Sequence, residues 1–196
     1  MNVNSKINKR INREIHNLLY DTTKYLYVNG ESIAFIEDIN DFNQEKIVCN
    51  IRGPDNSPYK DGIFKISIKI SQNYPYDSPL VKFITPIYHP NLYSEDYFTF
   101  YHNYDWSASQ TIQSFIMNIY ALMLEPQEKL ICNTQNLTSI SIQKEYKENY
   151  IQWKTTADKW TNLYATKQLW SIFNNKLIID KKQHNYILYI LWLGKH

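Results

Sequence analysis

Few cysteines, no long apolar run and almost no net charge characterise this sequence. Only two cysteines, Cys49 and Cys132, occur in 196 residues, so neither a disulfide framework nor a cysteine-rich metal site is predicted. No stretch reaches the length of about 18 apolar residues that indicates a membrane-spanning helix. The formal net charge of +2 is too small to predict nucleic acid or an anionic membrane as the main partner.

The length and composition favour one folded domain with an appendage. A chain of this length with 43% hydrophobic residues can bury one sizeable core, and its 15% aromatic residues argue against disorder. Residues 1–13 are polar and basic and contain no apolar segment of signal-peptide length. We therefore expect an intracellular protein, cytoplasmic and/or nuclear, and the sequence predicts no cofactor and no metal.

Alternating side chains predict an antiparallel sheet. Phe64, Ile66, Ile68 and Ile70 alternate with polar residues, which is typical of a strand with one buried and one wet face. Similar short apolar segments occur at residues 33–36, 47–51 and 81–83, and Asn29-Gly30 is a hairpin signal. Short links between strands indicate a meander, and Cys49 is expected to be a buried small hydrophobe within it.

Three amphipathic segments predict helices. The first has an apolar stripe of Ile7, Ile11, Ile15, Leu18 and Leu19 and leaves Lys9, Arg10 and Arg13 on its wet side. The second begins after a cap at Ser107 or Ser109 and is stopped by Pro126. The third is expected from Ile142 to Ala165. Together these elements predict an α+β fold.

The last thirty residues suggest a helical extension. Leu169, Trp170, Phe173 and Leu177 have helical spacing, and residues 186–193 are apolar or aromatic without interruption. This second segment is too short to span a bilayer, where about twenty residues are needed. We expect it to pack on the core, with a partner-binding or membrane-touching role as the alternative.

Six short motifs occur in one order at fixed spacing: Gly53-Pro54, Ser57-Pro58-Tyr59, Tyr74-Pro75-Tyr76, Tyr88-His89-Pro90-Asn91, Thr99 and Trp106-Ser107. This order resembles that of the ubiquitin-conjugating enzymes, with no gap from Ile51 to Thr99. The resemblance covers about 166 residues and implies the UBC-like fold. That fold has an N-terminal helix, a meander of about four strands and covering helices. It also implies a core domain at residues 1–166, followed by an extension at 167–196.

The resemblance places Thr99 where the family carries its active-site cysteine. The family's cysteine accepts ubiquitin as a thioester, and a thiol with a pKa of about 8.5 suits that role. An aliphatic alcohol is about as weakly acidic as water, roughly 15.7. Thr99 therefore lacks the reactivity unless another group activates it. Cys132 lies in a segment that passes the active site in the family and is the other candidate nucleophile.

Asn91 is the remaining candidate at the catalytic site. In the family the matching amide hydrogen-bonds to the loop and helps to stabilise the oxyanion, a role that needs a fixed donor aimed at developing charge. An Asn after Pro also bonds its own backbone to pin a turn, and the sequence favours this structural role.

The resemblance also implies binding residues. Lys9, Arg10 and Arg13 match positions of the first helix that contact the activating enzyme, although a solvated face explains the same charges. Tyr76 and the Ser107-Ala108-Ser109 loop match the ligase-facing surface, with Ala108 in place of a proline.

Three functions are therefore kept. The first is a catalytically inactive UBC-fold protein that binds ubiquitin or a ubiquitin-like protein, a conjugating enzyme, the activating enzyme or a ligase. The second is an active ubiquitin transferase that uses Cys132 or Thr99. The third is a structural or interaction protein that reuses the fold, because a fold alone does not define a function.

Overall fold

The computed structural model describes residues 3–20, 26–28, 31–40, 46–92, 97–98, 106–128, 131 and 136–165. Within them are four α-helices and seven β-strands. Thr99, Cys132 and the extension at 167–196 lie outside the described residues, so their predicted roles stay predictions. Among the described residues, no helix is both long enough and apolar enough to cross a membrane.

The first helix, α1, spans Val3–Tyr20. Ile11 and Ile15 are buried and Leu18 packs against the core, as the helical spacing predicted. Glu14 is buried too, because a residue three positions after Ile11 lies on the same helix face.

A small hairpin and a five-stranded sheet follow α1. The hairpin pairs β1 (Tyr27–Val28) with β2 (Glu31–Ser32) in antiparallel fashion. The larger sheet has the order β3-β4-β5-β6-β7, and all its neighbouring strands are antiparallel. Its strands are β3 (Ala34–Asn40), β4 (Lys46–Arg52), β5 (Ile63–Lys69), β6 (Leu80–Phe83) and β7 (Tyr97–Phe98). The α+β class and the predicted meander are confirmed, with the two-residue β7 as a fifth strand.

The centre of the sheet is built from cross-strand apolar pairs. Ile51 lies opposite Phe64, Cys49 opposite Ile66, and Ile47 opposite Ile68, and all six side chains are fully buried. Burying one such side chain contributes about 1.5–3 kcal/mol. The alternation predicted for β5 therefore lies in register with the inward face of β4, and Cys49 is the buried hydrophobe that was expected.

The second helix, α2, spans Ile112–Leu124 and covers the sheet. Thr111 is its cap: the Thr111 hydroxyl accepts from the Ser114 N–H, and the Ser114 side chain accepts from the Thr111 N–H. The prediction that Ser107 or Ser109 caps this helix is wrong, because the helix begins at Ile112 and both serines precede the cap position. The helix ends before Pro126, as predicted.

The predicted third helix is two helices, α3 (Leu137–Glu148) and α4 (Tyr150–Tyr164), so the single helix from Ile142 is wrong. Asn149 separates them, with φ of −146° and ψ of 71°. Its side chain accepts from the Gln152 N–H and so caps α4. A short polar side chain that bonds to nearby backbone favours such a break.

Aromatic contacts join α3 and α4 to the core. Trp153 and Ala157 of α4 are fully buried, and Trp160 packs against Tyr88 with ring centroids 5.4 Å apart. The Tyr88 hydroxyl donates to Glu145 of α3 at 2.7 Å. Both helices are thereby fixed against the segment that carries the His-Pro-Asn motif.

Candidate functional site

The first two motifs along the chain pack together. Gly53 lies against the backbone of Tyr59 so closely that an added Cβ would overlap the Tyr59 carbonyl group. The Ser57 hydroxyl donates to Pro54 O at 2.7 Å and accepts from the Tyr59 N–H at 3.1 Å. These contacts explain why Gly-Pro and Ser-Pro-Tyr occur at a fixed spacing.

Tyr59 links these two motifs to the His-Pro-Asn turn. Its buried hydroxyl donates to Tyr88 O at 2.8 Å, and its ring stacks on His89 at a centroid distance of 5.6 Å. Burial raises the pKa of the Tyr59 hydroxyl well above its usual value, so the group is a neutral donor. The turn is therefore held from the sheet side.

His89 is fully buried and neutral. Its Nδ1 accepts from the Asn91 N–H at 3.0 Å. The proton is therefore on Nε2, which donates to Leu122 O at 2.9 Å. Burial lowers the pKa of His89 to about 3, against the smaller opposing effect of the Leu122 carbonyl. This imidazole positions the turn and is unsuited to proton transfer near neutral pH.

The side chain of Asn91 is buried and bonded to the segment after α2. Its Nδ2 donates to Gln127 O at 2.9 Å, and its Oδ1 accepts from the Gln127 N–H at 3.2 Å. The sequence predicted bonds from Asn91 to its own backbone, whereas both observed bonds reach a residue 36 positions further along the chain. The partner residue, Gln127, carries no local sequence signal of this contact.

The described residues contain one thiol, that of Cys49, which is 0% exposed. Burial, with a smaller contribution from Glu37, raises the pKa of the thiol well above its usual value. A buried, protonated thiol is chemically inert. Within the described ranges, no group of three or more His, Cys, Asp or Glu side chains is placed to hold a metal ion.

The third motif, Tyr74-Pro75-Tyr76, lies in the loop between β5 and β6. Ser71 and Asn73 both donate to Asp77 Oδ2, at 2.9 and 3.1 Å, and close the loop on itself. Tyr74 points inward and is fully buried, whereas the next aromatic residue, Tyr76, is 79% exposed. This Tyr76 loop, residues 71–77, therefore presents Tyr76 to solvent and is held in shape by its own hydrogen bonds.

The turn after Trp106 lies beside this loop. Trp106 donates from Nε1 to Pro75 O at 2.7 Å, and its ring lies 5.9 Å from that of Tyr74. The turn itself is closed by the Gln110 N–H, which donates to Ser107 O at 2.9 Å. Ser107 and Ser109 are exposed and Ala108 is half-buried.

Arg10 joins α1 to this turn, so the prediction that it lies on the wet side of the helix is wrong. Its guanidinium donates to Glu14 at 2.7 Å, to Ala108 O at 2.6 Å and to Gln110 O at 2.7 Å. It also lies over the Tyr74 ring, 5.4 Å from the centroid. Lys9 and Arg13 are exposed, as predicted.

Glu14 is the functional residue that the sequence reasoning missed. Besides Arg10, its carboxylate accepts from the Tyr74 hydroxyl at 2.6 Å and from the Ile112 N–H at the start of α2 at 2.9 Å. A carboxylate at a helix N-terminus is favourable. Its place on the apolar stripe of α1, four residues after an arginine, is a signal that could have found it.

The structure thus brings together the three predicted binding segments: α1, the Tyr76 loop and the turn at Ser107, Ala108 and Ser109. They meet through Arg10, Tyr74 and Trp106. Asn91 belongs to a different cluster, with His89 and Gln127.

Comparisons with known proteins match this arrangement. The profile of the family described as ubiquitin-conjugating enzyme matches residues 10–161. Human ubiquitin-conjugating enzyme E2 K is 30% identical in an alignment 143 residues long, which covers 65% of this chain and 62% of that protein. Ubiquitin-conjugating enzyme E2 13 of Saccharomyces cerevisiae is 31% identical over 130 residues, which are 66% of this chain and 81% of that protein.

A solved structure gives the same result for the fold. The crystal structure of a proposed ubiquitin conjugating enzyme from Plasmodium yoelii superposes with a TM-score of 0.64 and 30% identity. The superposed region covers 82% of this chain and 96% of the Plasmodium yoelii chain. The profile match spans the helices, the sheet and both clusters described above. The chain therefore belongs to the ubiquitin-conjugating enzyme family.

Proposed function

We propose that this protein is a catalytically inactive member of its family. In this role it binds a ligase, or another protein of the ubiquitin pathway, through the face formed by α1, the Tyr76 loop and the 107–110 turn. The observation that carries the proposal is Thr99, which the ungapped register from Ile51 assigns to the position of the family's cysteine. The folded core is taken as residues 1–166 and the extension as 167–196.

The chemistry of the alcohol supports the absence of thioester formation. At neutral pH a thiol has a few per cent of reactive thiolate, whereas an alcohol has essentially no alkoxide. An acyl group on Thr99 would form an ester with a poor leaving group, so transfer to an amine would be slow.

The retention of Asn91 does not argue against this proposal. Its amide is committed to the backbone of Gln127 through both its oxygen and its nitrogen. Retention of Asn91 is therefore explained by the fold alone and does not require a reaction at Thr99.

The alternative, an active transferase, depends on Cys132 or Thr99. Cys49 is excluded as a nucleophile because its thiol is fully buried in β4. A reaction at Cys132 would give a thioester, which thiol reductants cleave. A reaction at Thr99 would give an oxygen ester, which reductants leave intact and mild base cleaves.

The binding face has the composition expected of a protein contact. It combines a large exposed aromatic residue, Tyr76, with the exposed cations Lys9 and Arg13. Of these residue types, Tyr and Arg are enriched at protein interfaces, whereas Lys is depleted. The loop and the turn that carry this face are fixed to each other by the bond from Trp106 to Pro75.

A charging assay tests the inactivity. The full chain is incubated with activating enzyme, ATP and ubiquitin, and products are separated with and without reductant beside an active family member. We expect no adduct from the wild type and a weak reducible adduct from Thr99→Cys. A reducible wild-type adduct that disappears in Cys132→Ala overturns the proposal, as does a base-labile adduct that disappears in Thr99→Val.

Binding is tested on a panel of purified ligase catalytic domains by biolayer interferometry. We expect at least one domain to bind the wild type, and Tyr76→Ala to weaken that complex by about tenfold or more, as for an exposed aromatic anchor. Leu137→Ala, at an equally exposed apolar residue of α3, is the matched control and leaves binding unchanged. Equal affinity of Tyr76→Ala and the wild type would remove this face from the proposal.

A further inference from the structure

The guanidinium of Arg10 makes hydrogen bonds within the protein. All three of its nitrogens donate hydrogen bonds, to Glu14, Ala108 O and Gln110 O. Only 26% of the side chain is exposed. The two carbonyl groups belong to residues 98 and 100 positions further along the chain, so Arg10 ties α1 to a distant turn.

Arg10 is itself held in place. Its partner Glu14, with 8% side-chain exposure, also accepts from Tyr74 and from the start of α2. The Tyr74 ring lies beneath the guanidinium. A planar fork that is fixed at one end can set the position of the two carbonyl groups at the other.

The turn that Arg10 contacts lacks the residue type that would restrict its backbone. Ser107 is the first residue of a β-turn and Gln110 the fourth, which places Ala108 at the second position. Proline is favoured at that position because its ring presets φ. Ala108 leaves φ free, and the other bonds of the turn are made by exposed groups, such as Ser107 with Ser109.

We propose that Arg10 is a positioning residue that holds the 107–110 turn in the shape in which it meets its partner. It replaces the φ restriction of a proline at residue 108 by two charge-assisted hydrogen bonds. This inference rests on the proposed function for its effect on binding, but the order of the turn can be measured without any partner.

Arg10→Lys separates positioning by the planar guanidinium from the effect of the positive charge. Arg10→Lys keeps the positive charge but cannot reach Glu14 and two carbonyl groups with one planar fork. Arg52→Lys is the matched control, because Arg52 also joins two partners, Glu31 and Asp55, outside the binding face. It controls for a general loss of stability.

Hydrogen exchange measures the order of the turn in the full chain. We expect the Gln110 amide to exchange at least about tenfold faster in Arg10→Lys, as local opening becomes easier. In Arg52→Lys its exchange should be unchanged. Adding Ala108→Pro to Arg10→Lys should restore slow exchange. Unchanged exchange in Arg10→Lys, or no restoration by Ala108→Pro, overturns the proposal.

The affinity for the ligase domains of the panel is the second readout. Arg10→Lys should bind about tenfold more weakly, since the turn must then be ordered on binding, and Ala108→Pro should recover the affinity without recovering the melting temperature. If Arg10→Lys binds a ligase domain as tightly as the wild type does, the positioning role is overturned while the proposed function stands. If no domain binds the wild type, the proposed function fails, and the exchange data still decide whether Arg10 orders the turn.

Discussion

Asn91 and the backbone of Gln127 are joined by two hydrogen bonds in opposite directions. The Asn91 amide donates to Gln127 O at 2.9 Å and accepts from the Gln127 N–H at 3.2 Å. Asn91 is 1% exposed, whereas Gln127 lies at the surface. This pair fixes the His-Pro-Asn turn to the segment that follows α2.

We predict that Asn91→Ala lowers the free energy of unfolding by about 1–3 kcal/mol, because two hydrogen bonds are lost and each contributes about 0.5–1.5 kcal/mol. Urea unfolding of the full chain measures the change. Asn118→Ala, on the exposed side of α2, is the control and should stay within about 0.5 kcal/mol. A fully stable Asn91→Ala would contradict the structural role.

The sheet and most helix positions could be predicted because their signals are local. The alternation in β5 places Phe64 and Ile66 on one face whatever the rest of the chain does. The break at Asn149 was missed, because the apolar stripe continues through it from Tyr146 to Trp153. Only the capping bond to Gln152 shows that the helix ends and restarts there.

The binding face could be predicted in its parts but not in its assembly. Each segment has a recognisable motif, but the bonds from Arg10 to Ala108 and Gln110 join residues about a hundred positions apart. The one local sign is the place of Glu14 on the apolar stripe of α1, four residues after Arg10. It does not reveal which distant turn Arg10 reaches.

Tyr74 and Glu14 provide the second prediction. The Tyr74 hydroxyl is one of three donors to the buried Glu14 carboxylate. Burial and this carboxylate together raise the pKa of Tyr74. We predict that Tyr74→Phe lowers the free energy of unfolding by about 1.5–3 kcal/mol, the range for a hydrogen bond to a charged group.

Tyr76→Phe is the matched control, because it removes the same hydroxyl from a ring that is 79% exposed. It should leave the melting temperature unchanged. Equal melting temperatures for the two variants would mean that the Tyr74 hydroxyl does not stabilise Glu14.

The third prediction concerns the Cys49 thiol. In the full-length Cys132→Ser variant, Cys49 is the sole thiol. We predict that its reaction with a disulfide reagent at pH 8 is at least about 100-fold slower in native buffer than in urea, because labelling requires unfolding of the core strand. Absorbance of the released thiolate follows the reaction. Rapid native labelling would place Cys49 at the surface and reopen it as a nucleophile.

The fourth prediction follows from the neutral state of His89. In the unfolded chain a histidine titrates near its usual pKa of about 6.5, whereas in the folded protein burial holds the pKa of His89 at about 3. Below about pH 6.5 the unfolded state therefore binds a proton that the folded state does not. Stability is complete above that pH and falls as the pH falls towards 3.

Each pH unit below 6.5 should cost about 1.4 kcal/mol, so lowering the pH to 5 costs about 2 kcal/mol. Urea unfolding at pH 7, 6 and 5 measures this loss. His89→Asn keeps an acceptor for the Asn91 N–H; it should be less stable at pH 7 and should lose most of the pH dependence. His16→Gln, at an exposed position of α1, should retain the pH dependence of the wild type. A pH dependence that survives in His89→Asn would show that another group causes the loss.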